Sequence, residues 1–221
     1  MAGSVATAAA YALVAGALAL RTRGVYFIMV TLAFGQMAYF VFHDTSVGGG
    51  SDGIYLNAKP VLAIAGHTLL DLDKPAQFYY LVLGCLALTY GLLARLTGSR
   101  LGHALAGIRV NEQRMRAVGF GTYAYKLLAF VLAGALAGVG GCLFAIKDGY
   151  VNPEMLSWHQ SGAVLIMIIL GGMGRLRGAV IGAFLFVLLQ ELFQSQAVFG
   201  AFAKHWQLLL GLTIIACVAL M

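Results

Sequence analysis

Charge is the scarcest property of this 221-residue sequence: 10% of its residues are Asp, Glu, Lys or Arg, while 61% are hydrophobic and the mean hydropathy is +0.89. A soluble domain carries roughly a quarter charged residues, so a chain this poor in ions cannot cover a water-facing surface. Its apolar side chains must be satisfied by lipid, and each crossing takes about 20 mostly apolar residues over a hydrocarbon core of about 30 Å. Cysteine is nearly absent as well. Cys85, Cys142 and Cys217 sit in apolar runs without disulfide or metal-ligand spacing and read as small packing residues. The histidines, His43, His67, His103, His159 and His205, fall in loops or near the ends of apolar runs, again without ligand spacing. No Ser/His/Asp set and no carboxylate pair converges at membrane depth, which argues against an intramembrane enzyme. The glycine run GGMGRLRG (171–178) lacks the Lys-Ser/Thr of a phosphate loop, so no nucleotide site is expected in this chain.

What the chain does have is long apolar runs. Seven are expected, at about 2–20, 24–43, 77–96, 127–147, 159–173, 179–194 and 205–221. The fold class is therefore all-α and polytopic, with about seven transmembrane or partly re-entrant helices and one membrane domain over 1–221. The fifth and sixth runs are short enough to be tilted, broken or re-entrant. Tyr39, Tyr79, Tyr80, Tyr150, Trp158 and Trp206 lie near run ends as interfacial anchors. The start, MAGSVATAAAYALVAGALAL, lacks the basic n-region of a signal peptide and reads as a span entered abruptly. Both ends fall inside apolar runs, and the sequence is expected to be part of a longer chain with further upstream spans.

A net charge of +6 would point to nucleic acid in a soluble protein, but here its distribution carries the meaning. One set of loops holds Arg21, Arg23, Arg95, Arg100, Arg109, Arg114, Arg116, Lys126, Arg175 and Arg177 with Glu112 as its only acid. The other holds Lys59, Lys74, Lys147 and Lys204 among Asp44, Asp52, Asp71, Asp73, Asp148 and Glu154. Alternation through seven spans keeps these sets apart, so the first is expected to be cytoplasmic, with the first residue outside and the last inside.

The stretch IRVNEQRMRAVGFGTYAYKLLAF (108–130) gathers Arg109, Glu112, Arg114, Arg116 and Lys126. On one helix Arg109, Glu112 and Arg116 would share a stripe, with Glu112 and Arg116 in the favourable i,i+4 order. Met115 and Val118 would form a neighbouring apolar stripe, Gly119 and Gly121 would end the helix, and Tyr123, Tyr125 and Lys126 would mark re-entry at the interface. Two readings follow from the residues alone. The helix lies on anionic lipid as ordinary positive-inside topology, or it docks a cytoplasmic partner and passes a push to the next span.

The order Ile108-Arg109, Asn111-Glu112, Arg114, Arg116-Ala117, Gly119-Phe120 and Tyr125 to Phe130 resembles the cytoplasmic coupling loop of ABC importer permeases. Together with LRTRGVYFIMVTLAFGQM (20–37), GGGSDGI (48–54), LAGALAGVGGCLFA (132–145), the run 151–193 and HWQLLLGL (205–212), it is similar to the M-type branched-chain amino acid permeases. Arg114 and Arg116 depart from the small residues of the generic importer loop. The resemblance implies a multi-pass permease of the bacterial inner membrane, paired with a second related permease and two cytoplasmic ATP-binding subunits. A periplasmic binding protein would deliver substrate, and ATP would be bound by the partners, with no cofactor and no nucleic acid on this chain. The coupling loop would be 97–126, with Arg109, Glu112, Arg114, Arg116, Ala117, Gly119 and Phe120 as its residues. A urea or short-amide permease of the same family, or a gradient-driven carrier or channel, is the alternative.

Three smaller features complete the expectations. Thr31 and Gln36 are mid-span polar residues, costly unless paired or facing a cavity; they are candidates for the pathway or for helix–helix hydrogen bonds. Gly171, Gly172 and Gly174 are expected in a tight, flexible turn that lets two helices approach. Gly134 and Gly138, near Ala137 and Gly141, have the four-residue spacing of close helix packing.

Overall fold

The computed structural model of the protein describes residues 1–45, 48–55, 62–64, 67–70, 74–172, 174, 176–195 and 206–220. Of the residues assigned to loops above, Lys59, Asp71, Asp73, Arg175, Lys204 and His205 lie outside the described residues. The chain forms two compact units, Met1–Ser157 and Trp158–Met221.

The first unit contains helices α1 (Ala2–Ala19), α2 (Val25–Asp44), α3 (Pro75–Thr97), α4 (Arg100–Val110), α5 (Glu112–Ala117) and α6 (Thr122–Asp148). Among the described residues its strands are short. Strand β1 (Ile54–Tyr55) pairs antiparallel with β4 (Tyr150–Val151), and β2 (Leu62–Ile64) pairs antiparallel with β3 (His67–Leu70). The first ribbon pins the Gly-rich loop after α2 to the end of α6: Tyr55 and Tyr150 pack with ring centroids 4.6 Å apart, and Tyr150 Oη donates to the Asp52 carbonyl at 2.8 Å. The second unit is α7 (Trp158–Gly171), α8 (Leu176–Gln194) and α9 (Trp206–Leu220) around Phe186, Phe193 and Leu210.

Helices α1, α2, α3, α6 and α8 are long and apolar enough to cross a membrane, as expected of an all-α polytopic protein. Exposed leucine, phenylalanine and tyrosine cover them: α2 and α3 bury no residue at all within the chain. In water that exposure would be prohibitive, whereas in lipid it costs nothing. At 1.5 Å per residue, the 14 residues of α7 extend only about 21 Å, short of the roughly 30 Å core. The fourth run begins earlier than its hydropathy implies, at Thr122 instead of about 127. Polar residues at a helix start escape an apolar count, and here Thr122 and Lys126 find partners in the preceding segment.

Helix packing relies on missing side chains. Gly134 and Gly138 of α6 lie directly on Ala12, Ala8 and the Ser4 carbonyl of α1, and Gly16 of α1 receives the Phe130 and Leu127 side chains. Ala12, Ala15 and Ala19 are accordingly among the most buried residues. Gly141 makes no such contact and faces open space. In the second unit Gly171, Gly178 and Gly182 bring the α7 and α8 backbones into direct contact; a methyl group at Gly182 would run into the Met167 carbonyl and come within 2.9 Å of Gly171 Cα. The turn between them includes Gly172 and Gly174, at φ 86° and 111°.

Gly182→Ala is therefore expected to destabilise the chain by about 1–3 kcal/mol, the cost of forcing atoms into a packed contact. Gly162→Ala, where an added methyl meets open space, should be neutral or stabilise by up to about 1 kcal/mol through helix propensity. Thermal unfolding of the two variants in the same detergent measures the difference.

Candidate functional site

The expected helical stripe from Arg109 to Arg116 is divided between two helices. α4 stops at Val110, Asn111 adopts an extended conformation (φ −156°, ψ 101°), and α5 begins at Glu112. Asn111 is the reason: its side-chain oxygen accepts from the Arg114 backbone N–H at 3.0 Å, the standard N-cap bond that satisfies an orphan donor. The break removes Arg109 from the stripe expected with Glu112 and Arg116, leaving it exposed on the last turn of α4. The Met115–Val118 stripe also dissolves. The Met115 thioether covers Gly107 of α4, whereas Val118 is 70% exposed beyond the end of α5.

α5 ends in a left-handed glycine cap. Gly119 has φ 93°; its N–H donates to the Arg116 carbonyl at 2.9 Å and the Phe120 N–H donates to the Met115 carbonyl at 3.1 Å. This pair of bonds is the Schellman arrangement, which needs a residue free of the Cβ clash at positive φ. Gly121 contributes differently, with φ −73° as the N-cap of α6. The ring of Phe120 packs near Tyr125, 5.9 Å between centroids.

Glu112 is the centre of the site. Its Oε1 accepts from Arg116 Nη2 at 2.6 Å, Lys126 Nζ at 2.8 Å and Thr122 Oγ1 at 3.1 Å. Thr122, 2% exposed, also accepts from Arg116 Nε at 2.9 Å. Three residues from α5 and the first turn of α6 thus converge on one carboxylate oxygen. The Lys126 hydrogen bond is the main reason the Glu112 carboxyl is lowered from 4.5 to about 2; partial burial works against it, and the Thr122 and Arg116 bonds assist. Lys126, expected as an interfacial anchor, is instead committed to this ion cluster. One turn away, Tyr123 Oη donates to the Ala17 carbonyl at 2.8 Å, tying the foot of α6 to the end of α1.

Glu112 and Met115 are the half-buried residues of α5, with Lys126 and Thr122 reaching Glu112 from α6, while Arg116 joins the cluster from an exposed position. Gln113, Arg114, Ala117 and Val118 remain exposed. Sequence reasoning missed Thr122, whose role rests on a separation of ten residues that no local rule covers. It also missed the cap at Asn111, although a capping residue directly before EQRMRA was a readable signal.

The other sequence candidates lie away from this cluster. Thr31 turns its hydroxyl back onto the Phe27 and Ile28 carbonyls of its own helix, at 3.0 and 2.9 Å, so it bridges no second helix. Gln36 is half-buried and hydrogen-bonds no described residue. Gly171, Gly172 and Gly174 belong to the second unit.

These features define an α-helical multi-pass membrane protein with a short, capped helix bolted to the foot of one span. The family profile described as "Branched-chain amino acid transport system / permease component" matches residues 1–218, and the chain belongs to that family. It is 31% identical over 230 residues to the high-affinity branched-chain amino acid transport system permease protein LivM of Escherichia coli (strain K12), covering 96% of this chain and 52% of that protein. The LivM protein of Salmonella typhimurium matches to the same extent. The autoinducer 2 import system permease protein LsrC of Yersinia pseudotuberculosis is 29% identical over 124 residues, covering 53% of this chain and 35% of the relative. The chain spans about half the length of the LivM proteins it matches. No solved structure matches it.

The lowered pKa of Glu112 gives the cluster a defined pH window. A carboxyl whose folded pKa lies below its unfolded value stabilises the fold above the unfolded value and loses that contribution as pH falls toward the folded one. Hydrogen-exchange protection of the Val118, Gly119 and Phe120 amides, corrected for intrinsic rates, should hold above about pH 4.5 and fall progressively toward about pH 2. In Glu112→Gln it should be low already at neutral pH and nearly flat with acid. Equal pH dependence in both proteins would remove Glu112 from this role.

Proposed function

We propose that this chain is part of the permease subunit of an ATP-driven importer for branched-chain amino acids in the bacterial inner membrane, with α5 as its coupling helix. The observation that carries the reading is the two-sidedness of α5. Its inner residues are fastened to α6 by the Glu112 cluster, while Gln113, Arg114, Ala117 and Val118 are left exposed between two helix ends. A rigid link on one side and an open surface on the other are what a lever requires: force applied to α5 travels into α6 through charge-assisted bonds, which are short and stiff. Family membership and the LivM similarity support the cargo class.

In this reading two cytoplasmic ATP-binding subunits supply the energy, one of them receiving α5. A second related permease completes the pathway and a periplasmic binding protein delivers the amino acid. This chain contributes no catalytic group and no cofactor of its own. Gln36 is the better of the two pathway candidates, because its amide is uncommitted where the Thr31 hydroxyl is already bonded. The glycine turn at 171–174 allows the close α7–α8 approach and has no chemical role.

Uptake of labelled leucine, isoleucine and valine by the assembled transporter, with urea and short amides as competing cargo, tests the substrate class. Arg114→Glu and Val118→Asp should weaken co-purification of the ATP-binding subunit about tenfold or more, in the range of anchor losses at protein interfaces. Glu112→Lys and Gly119→Pro should abolish uptake while the binding protein still captures substrate. Proline cannot adopt φ 93° and would also delete the Gly119–Arg116 bond. Normal ATP-dependent uptake by both of the latter variants would exclude the coupling role. Uptake without any ATP-binding subunit would favour a gradient-driven carrier.

A further inference from the structure

Two tyrosine hydroxyls make the side-chain hydrogen bonds that join α1 to its neighbours among the described residues. Tyr123 of α6 donates to the Ala17 carbonyl at 2.8 Å, and Tyr11 of α1 donates to the Phe34 carbonyl of α2 at 2.6 Å. Both acceptors are backbone oxygens, so each bond fixes the place of a helix rather than of a movable side chain. At the end of α1 the Gly16, Leu18 and Ala19 carbonyls accept from the Leu20, Arg21 and Thr22 N–H groups. The Ala17 carbonyl takes its hydrogen from Tyr123 instead, the outside donor that an orphan group at a helix end requires. Tyr11 stands near the middle of α1. An unpaired hydroxyl in hydrocarbon is costly there, and the Phe34 carbonyl is the partner it finds.

The two bonds differ in what accompanies them. Between α1 and α6 the hydrogen bond adds to the backbone contacts of Gly134 and Gly138, and these two helices form one packed pair. Between α1 and α2 no such packing exists. α2 buries no residue within the chain, and an added methyl at Gly35, next to the accepting carbonyl, would meet open space. Apart from Tyr11, α2 is held by an edge contact of Phe27 with Phe130 of α6, 6.4 Å between ring centroids, and by the turn at Pro153–Leu156. A helix without interlocked side chains follows its neighbours only through such points. Gln36, the pathway candidate, lies two residues beyond Phe34.

We infer that Tyr11 is a positioning residue for transport: its bond to Phe34 makes α2 follow the α1–α6 pair when α5 is pushed. The links stand in series. The Glu112 cluster fixes α5 to α6, glycine packing and Tyr123 fix α6 to α1, and Tyr11 passes the displacement to α2 and to Gln36. Rigid helices joined by hydrogen bonds are a physical means of carrying such coupling. Tyr11 itself touches neither cargo nor nucleotide in this scheme. The inference rests on the transport reading above and adds to it which span moves and what moves it.

The test is the ATP hydrolysed per leucine imported by the complete transporter in proteoliposomes, a ratio that does not depend on how much of each variant assembles. Tyr11→Phe keeps the ring and deletes only the donor. It should raise the ratio about three- to tenfold, the weight of one hydrogen bond between membrane helices, with the melting temperature of the complex little changed. Thr7→Val is the control: it removes another α1 hydroxyl, one that bonds only its own helix, and should leave the ratio at the wild-type value. An unchanged ratio in Tyr11→Phe would overturn the inference while leaving the transport reading intact. So would a proportional loss of hydrolysis and uptake with a lowered melting temperature, the mark of a structural role alone, or an equal rise in Thr7→Val. Absence of ATP-dependent uptake by the wild-type transporter would remove the transport reading and this inference with it.

Discussion

The first unit depends on one contact, the bare-backbone approach of α1 to α6. Apolar attraction between helices is weak when the surrounding solvent is itself apolar, so close packing and dispersion have to hold spans together. Gly134 and Gly138 let α6 settle onto Ala8 and Ala12 at a distance that larger residues would forbid. Everything else in the unit refers to that pair: the Tyr123–Ala17 bond at one end, the Tyr55–Tyr150 ribbon at the other, and the Glu112 cluster at the foot of α6. A second pair, α7 and α8, follows the same rule with three glycines in mutual contact.

Against this quiet packing, the Glu112 cluster is the place where electrostatics does the organising. The carboxylate is only partly exposed, so its three partners act at a lower effective dielectric than a surface pair would. One oxygen fixes the direction of α5 relative to α6 through donors from both helices, and Thr122 both donates to Glu112 and accepts from Arg116. The Asn111 cap and the Gly119 cap set the length of α5 at six residues. Neither cap would hold so short a helix alone, since isolated helices of that length are unstable in water. The ion cluster supplies the missing anchorage.

Much of the architecture was legible from residue patterns. Hydropathy located every helix of span type to within a few residues, because an apolar run of the right length has few other uses. The i,i+4 pair of Glu112 and Arg116 and the glycine stop at Gly119 followed from local rules that hold for any helix. Errors came where a local rule met a competing one. A continuous helical stripe through Arg109, Glu112 and Arg116 ignored the capping preference of Asn111, and the interfacial reading of Lys126 ignored a carboxylate fourteen residues upstream.

The amino-acid sequence by itself determined that this is a lipid-embedded helical protein, where its spans lie, and that its longest charged stretch is 108–130. Those properties depend on composition and on spacings within a turn or two of helix. The fold alone decided which of the ions converge on Glu112, that Thr122 is a buried bridge, and that Gly134 and Gly138 meet α1 while Gly141 does not. Each of these is set by how separate helices cross. Crossing depends on the summed fit of two surfaces rather than on any residue's own preference, so it is absent from the pattern of a single segment.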